Sequence, residues 1–504
     1  MNKIAVIEIG TASLRLMLIN TKEGGFFNVI EEIEEPIQLG KDVERDGLLK
    51  SVRINESITV LKMFRKICDL NKVSKIIAVA TSLVRNAKNQ NSFLDEIYNT
   101  CGFYVTVLSP EEEMKAVYSG VVNTLDIPKG IIFDISSSAI QIVQYNRRYI
   151  LNQVSLPFGA LTLAELFSSE GPENSKKCAK MCEFLKKELN KVEFLQNIEP
   201  EFQFVGSGIT FKSLGKLARK TSRYSLDIEN NFVLGKELFD SVFDFIKTLD
   251  LDKTKKIKGV TEDRADVLVS GLSIVKSIFE KVAAEKITIA KSGMREGLIY
   301  NYVVPETNDK PLSDMIGYSL ENIRKFYDDD FSNTTQVYNL AIILFKQFKV
   351  IHKLHRFYVK PLRIAASMYD CGKRIGFDSN ENNSFDVILN SNINGISQRE
   401  LLLAAFVSKC QVSDNFNLSD WIKFKDIFTE DDLDAVRKLG VIVKLAAALD
   451  RTRGNVVKDI SCDILGDSVI MKTIVEKDAA FEIMEAKKVA TDFRKVFKKF
   501  LEVI

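Results

Sequence analysis

Two short segments of this chain carry residue types that handle phosphate. Near the start the sequence reads KIAVIEIGTASLRLML, and about 125 residues later it reads KGIIFDISSSAIQIVQ. Each is an apolar run, a carboxylate, an isoleucine, a turn of small and hydroxyl residues, and a second apolar run. Glu8 therefore aligns with Asp134, Gly10 with Ser136, Thr11 with Ser137 and Ser13 with Ala139. A tight turn between strands presents several backbone N–H groups to one point, where an anion can be held. A carboxylate ending the incoming strand can hold a cation or a water beside it. The repeat predicts two related lobes with phosphate chemistry in the cleft between them.

Other segments supply further groups. In LSPEEEMKAVYSGV, Ser109 is an N-cap, Pro110 takes the first helical position and Glu112 completes a capping box, so Glu111 and Glu112 read as structural. Glu113 is not explained by capping, and a carboxylate at that helix start can align a water for attack on phosphorus. ATSLVRNAKN places Thr81, Ser82, Arg85 and Asn89 after a buried strand, either as donors converging on an oxyanion or as an ordinary capped turn. VGSGITFKSLGKL presents Gly206, Ser207 and Gly208 as a third anion-binding turn or as a common strand-to-helix turn. Arg295 in KSGMREGLI is either a phosphate ligand or the partner of a nearby acid.

The elements that must position these groups follow from hydrophobic period. KIAVIEI, LRLMLI, FFNVIEEI, KIIAVAT and YVTVL read as strands alternating with helices over 53–70 and 91–100. A second α/β set begins near Lys129, includes a helix over 175–191 and a strand at EFQFVG, and closes near Tyr302. Beyond Pro305 apolar residues recur at helical spacing to about Gly454, then CDILGDSVIMKTIVE reads as a strand pair followed by a basic amphipathic helix. With 504 residues, 46% apolar, the chain can bury several cores. A net charge of +2 excludes a globally basic partner surface and gives no indication of DNA binding. Lys346, Lys349, Lys353, Arg356 and Lys360 are the candidates for a local basic track, or form a solvated helix face. Seven cysteines without a paired CxxC motif predict a reduced, cytoplasmic chain. No apolar run approaches the roughly 18 residues that span a bilayer. The two histidines, His352 and His355, read as part of a solvated basic face, with no metal role.

Taken in order, AVIEIGTASLRL, EPIQLGKDVERDGLL, VATSLVRNAKN, LSPEEEMKAVYSGV, IIFDISSSAIQIV, SLPFGALTLAELF, VGSGITFKSLGKL and IAKSGMREGLIY resemble the exopolyphosphatase/guanosine pentaphosphate phosphohydrolase (Ppx/GppA) family. The resemblance implies an α/β fold of two actin-like, ribonuclease H-like lobes, here 1–125 and 126–303. An all-α HD-like domain over 304–458 and a small C-terminal α+β domain over 459–504 would follow. It implies release of terminal phosphate from inorganic polyphosphate or guanosine pentaphosphate, with Glu113 activating the water and Glu8 and Asp134 forming a magnesium site. Gly10, Thr11, Ser13, Arg85, Ser136, Ser137, Ser138, Gly206, Ser207, Gly208 and Arg295 would contact phosphate, and long members of the family tend to form homodimers. Several residues depart from the family pattern. Glu8 replaces Asp, Ala12 replaces Asn, Ser136, Ser137 and Ser138 replace glycines, Gln141 replaces Glu, and Lys291 and Ser292 replace Asp and Gly. Three serines in place of glycines are expected to reach positive φ at greater cost and to crowd the anion. Tyr369 stands before Asp370 where an HD core has histidine, so no second metal site is expected. The alternative reading is a catalytically impaired member that binds polyphosphate or nucleotide.

Overall fold

The computed structural model describes residues 2–40, 43, 47–168, 174–257, 260, 264–305, 311–327, 334–376, 378, 380–410 and 418–504. Two compact units emerge, Met1–Ser313 and Asp314–Ile504.

The first unit holds two sheets. In the first, β1 (Asn2–Ile9), β2 (Ser13–Lys22), β3 (Phe26–Pro36), β4 (Lys75–Ala80) and β5 (Val105–Val107) lie in the order β3-β2-β1-β4-β5. The second sheet contains β6 (Lys129–Ile135), β7 (Ile140–Asn146), β8 (Tyr149–Leu156), β9 (Gln203–Ser207), β10 (Phe232–Gly235) and β11 (Lys286–Ile289). Its order is β10-β11-β9-β6-β7-β8. Without the antiparallel edge strand β10, it repeats the first sheet: an antiparallel meander followed by two parallel neighbours. The likeness of the two hairpins extends to their hydrogen bonds. Gly10 N donates to Ser13 O at 3.1 Å, and at the aligned positions Ser136 N donates to Ala139 O at 3.0 Å.

The apolar run of β1 is buried on both faces, as a strand bearing two parallel or antiparallel neighbours and helices above and below must be. Ala5, Ile7 and Ile9 pack with Leu61 and Phe64 of the helix Ser51–Leu70. Val6 faces the other way, toward Leu298 and Ile299 of the helix Met294–Val303. That helix crosses the helix Pro110–Val122 at glycines. A Cβ on Gly297 would lie 1.7 Å from Ala116 O, and one on Gly120 would lie 2.1 Å from Gly293 O. Only glycine lets the two backbones touch there.

In the second unit, helices such as Gln398–Cys410 and Glu430–Ala448 form the core. A three-stranded sheet of β12 (Val457–Leu465), β13 (Ser468–Val475) and β14 (Phe500–Val503) belongs to the same unit. Gln336 Nε2 donates to Val457 O at 2.6 Å, tying helix to sheet. The expected terminal helix is two short helices, Ala480–Lys488 and Ala490–Phe497, and the chain then turns through Lys498 at φ 58° into β14. His352 is buried, 1% exposed, stacked on Phe345 at 4.3 Å, which replaces the solvated face expected from the surrounding lysines. The helix Thr334–Gln347 ends before it, so Lys346, Lys349, Lys353, Arg356 and Lys360 do not share one helical face. Asp370 is taken by Arg453 at 2.8 Å and Lys373 at 3.4 Å.

Candidate active site

Glu113 enters the site from the first turn of the helix Pro110–Val122. That start is fixed by the predicted capping box: Ser109 Oγ accepts from Glu112 N at 3.1 Å, and Ser109 N donates to Glu112 Oε2 at 2.8 Å. Glu111 is exposed and pairs with Lys115 at 2.8 Å. Glu113 is the buried member of the run. Its Oε1 lies 2.5 Å from Arg85 Nη1, and its Oε2 accepts from Gln141 Nε2 at 2.7 Å. Burial pushes the Glu113 carboxyl above its ordinary pKa, a shift that Arg85 and Gln141 oppose and Asp134 reinforces.

Arg85 and Ser82 occupy one face of the short helix Ser82–Asn86. Arg85 also donates to Leu108 O, so its guanidinium fixes Glu113 against the end of β5. Ser82 Oγ is 2.7 Å from Ser138 Oγ, which also accepts from Thr11 Oγ1 at 3.1 Å. These three hydroxyls join both hairpin turns and the segment after β4. Asn89 lies elsewhere, exchanging hydrogen bonds of 2.9 and 3.0 Å with the backbone of Leu49.

The serine turn is built without glycine's conformations. None of Ser136, Ser137 and Ser138 has positive φ. Ser136 Oγ accepts from Ala139 N at 3.0 Å, and the carbonyls of Ser136 and Ser137 accept from Ala160, Leu161 and Thr162 N. A hydroxyl closes the turn, so the predicted backbone cost does not arise. In the third turn, Gly208 has φ +84° and a Cβ there would stand 2.6 Å from Ile135 O. Gly206 lies against the Phe211 ring, and the fully buried Ser207, opposite Asp134 in the parallel register, donates its hydroxyl to Ser292 O at 3.4 Å.

Asp134 and Glu8 end equivalent strands, opposite Gln141 and Arg15 in the two hairpins. The Asp134 carboxyl is pushed up to about 6, first by burial and also by the Glu8 charge, against Ser207 and Lys212. Glu8 Oε2 lies 3.5 Å from Arg15 Nη1 and 3.4 Å from Arg295 Nε. Of the two readings of Arg295, this geometry realises the ion pair. Ser13 Oγ donates to Glu34 Oε1 at 2.7 Å, and Arg15 approaches the same oxygen at 2.9 Å. Against the partial desolvation of a side chain that stays 43% exposed, Arg15 holds the Glu34 carboxyl down at about 2. Arg264 adds a contact to Glu34 at 3.5 Å. Among the described residues no three His, Cys, Asp or Glu side chains gather as a complete metal cage. Two acids whose charges act on each other still fit a magnesium ion, which takes most of its ligands from phosphate and water.

Arg15 and Glu34 were not singled out in the sequence. The available signal was a lone arginine in the apolar run SLRLMLI, opposite Glu8 in the hairpin register.

Two sheets of one strand order, each opening with a hairpin turn and facing a shared cluster of carboxylates, hydroxyls and arginines, define an actin-like, two-lobed α/β protein. The chain belongs to the Ppx/GppA phosphatase family: its model matches residues 18–305, and that of Ppx/GppA phosphatase domain III matches 317–484. The bifunctional 3-dehydroquinate synthase/phosphatase of Fusobacterium nucleatum is 25% identical over 308 residues, 58% of this chain. The chain spans only 46% of that protein's length. The guanosine-5'-triphosphate,3'-diphosphate pyrophosphatase of Aeromonas salmonicida is 24% identical over 466 residues, 90% of this chain and 88% of that protein. A crystal structure of the Aquifex aeolicus family member aligns with TM-score 0.53 and 29% identity, covering 61% of this chain and 99% of that one.

Proposed function

We propose that the chain is a phosphoanhydride hydrolase that removes terminal phosphate from inorganic polyphosphate or guanosine pentaphosphate. The observation that carries this reading is the buried Glu113 carboxylate, fixed by Arg85 on one oxygen and Gln141 on the other beside the two phosphate-type turns. Glu113 orients the attacking water and takes its proton; its raised proton affinity suits that task. Arg85 keeps it in place and supplies positive charge toward the phosphoryl oxygens. The turns at Gly10–Ser13 and Ser136–Ser138, with the segment Gly206–Gly208, orient the terminal phosphate. Asp134 and Glu8 would hold magnesium, which supplies charge neutralisation on the phosphate oxygens. Seven free thiols suit a reducing cytoplasm.

A second reading, a phosphate-chain binder with little turnover, is favoured by the bridge from Ser138 to Ser82 and Thr11, which fills the cleft with hydroxyls. One assay separates the two: phosphate release from inorganic tripolyphosphate with magnesium, beside direct binding. The hydrolase reading expects release by the natural chain and a loss of at least about 100-fold in Glu113→Gln with affinity nearly kept. Binding without release by the natural chain would establish the binder instead.

A further inference from the structure

We propose that the second unit binds a hard divalent cation, calcium or magnesium, between Asp450 and Glu482, where it pins the end of the helix Glu430–Ala448 to the helix Ala480–Lys488. Both acids belong to Asp314–Ile504, so the site is independent of the phosphate cleft.

Asp450 is 2% exposed and Glu482 1%. Asp450 follows the helix Glu430–Ala448, past its C-cap Leu449, at the end whose dipole favours a cation. Its Oδ1 accepts from Asn455 N at 3.1 Å. Its Oδ2 is shielded, with no hydrogen-bond partner among the described residues. Thr452, two residues on, donates both its backbone N, at 3.2 Å, and its hydroxyl to Glu482 Oε1. The turn 450–455 therefore holds the two carboxylates close enough for the Glu482 charge to act on Asp450. The arginines on either side of Thr452 are engaged elsewhere. Arg451 lies 3.8 Å from Glu485, and Arg453 lies 2.8 Å from Asp370, their side chains 57% and 45% exposed.

Two carboxylates buried together, one with an orphaned oxygen and neither ion-paired among the described residues, need a positive charge between them. A single hydrogen-bond donor would satisfy Asp450 Oδ2 and leave the repulsion in place. A divalent cation removes both problems. The ligands on offer are all oxygen: Asp450 Oδ2, the Glu482 carboxylate and the Thr452 hydroxyl, whose proton goes to Glu482 and whose lone pairs remain. Such a set suits calcium or magnesium, whereas zinc prefers nitrogen and sulfur. With fewer than three acids gathered, water completes the shell.

The test is calorimetric titration of calcium chloride and of magnesium chloride, each alone, into the full chain carrying Asp134→Asn, a background that weakens the acids of the cleft. One equivalent of at least one ion is expected to bind, with the melting temperature rising as that ion is added. Adding Asp450→Asn should weaken this binding by at least about tenfold, since it removes a ligand charge while keeping the acceptor for Asn455 N. Glu482→Gln makes the same test should that variant fail to fold. Absence of binding by either ion overturns the proposal, and so does binding that a folded Asp450→Asn or Glu482→Gln leaves unchanged. A chain that Asp450→Asn makes more heat-stable, with neither ion affecting either form, shows a buried neutral acid there and overturns it as well.

Discussion

Asp134 sets a pH dependence that thermal melts can read. Its carboxyl is raised from 3.8 to about 6, so the folded chain binds this proton more tightly than the unfolded one. The contribution is fully present below pH 3.8 and is lost as pH rises through about 6, a swing of roughly 3 kcal/mol. In chelator, Asp134→Asn should therefore melt higher than the natural chain at pH 7.5 and match it near pH 4. An equal difference at both pH values would show that the carboxyl does not titrate as described. At this scale the sequence is legible where a residue is left over by a local rule. Ser109 and Glu112 account for one another, and Glu113 remains. Arg15 and Glu34 were hidden because their meaning lies in register: Glu34, in the run EEIEE, looks like a solvated edge until β2 brings Arg15 against it.

Between elements, the tightest contact is the glycine crossing of the helices Pro110–Val122 and Met294–Val303. Gly297→Ala forces a methyl into Ala116 O and should cost about 2–4 kcal/mol, with phosphate release falling because Glu113 moves with its helix. Gly235→Ala is the control: φ is −72° and nothing lies within 4 Å, so its stability should stay within about 0.5 kcal/mol. Melting curves and release rates of the two variants check both statements. Helix and strand positions were readable from apolar period; the 53–70 and 91–100 helices appear as Ser51–Leu70 and Gln90–Cys101. The serine turn was misread because glycine is one way to close it and a side-chain hydroxyl is another. Composition does not reveal which carbonyl a hydroxyl will reach.

Across the whole molecule, two separate cores predict two melting transitions. Residues 1–313 expressed alone should give one cooperative melt and keep phosphate release, since the Aquifex aeolicus structure aligns over 99% of its length to about this much of the chain. A non-cooperative melt of that fragment would show that its core depends on the rest. The change of texture after Pro305 was visible as helical period replaced alternation. The union of the small sheet with the helices was not, because it depends on contacts such as Gln336 to Val457 between residues far apart in sequence. His352 shows the same limit: neighbouring lysines suggested solvent, and Phe345 supplied a ring to bury it.

The glycine crossing also has a mechanical meaning. One of its helices leads the chain from the first sheet to the second, and the other returns from the second to pack on Val6 and Met17 of the first. Both passages between the lobes meet where no side chain separates them, which makes that point a fulcrum. Any opening of the cleft about that point would have to break the hydroxyl bridge at Ser138 and would be expected to displace least the carboxylate one turn from it.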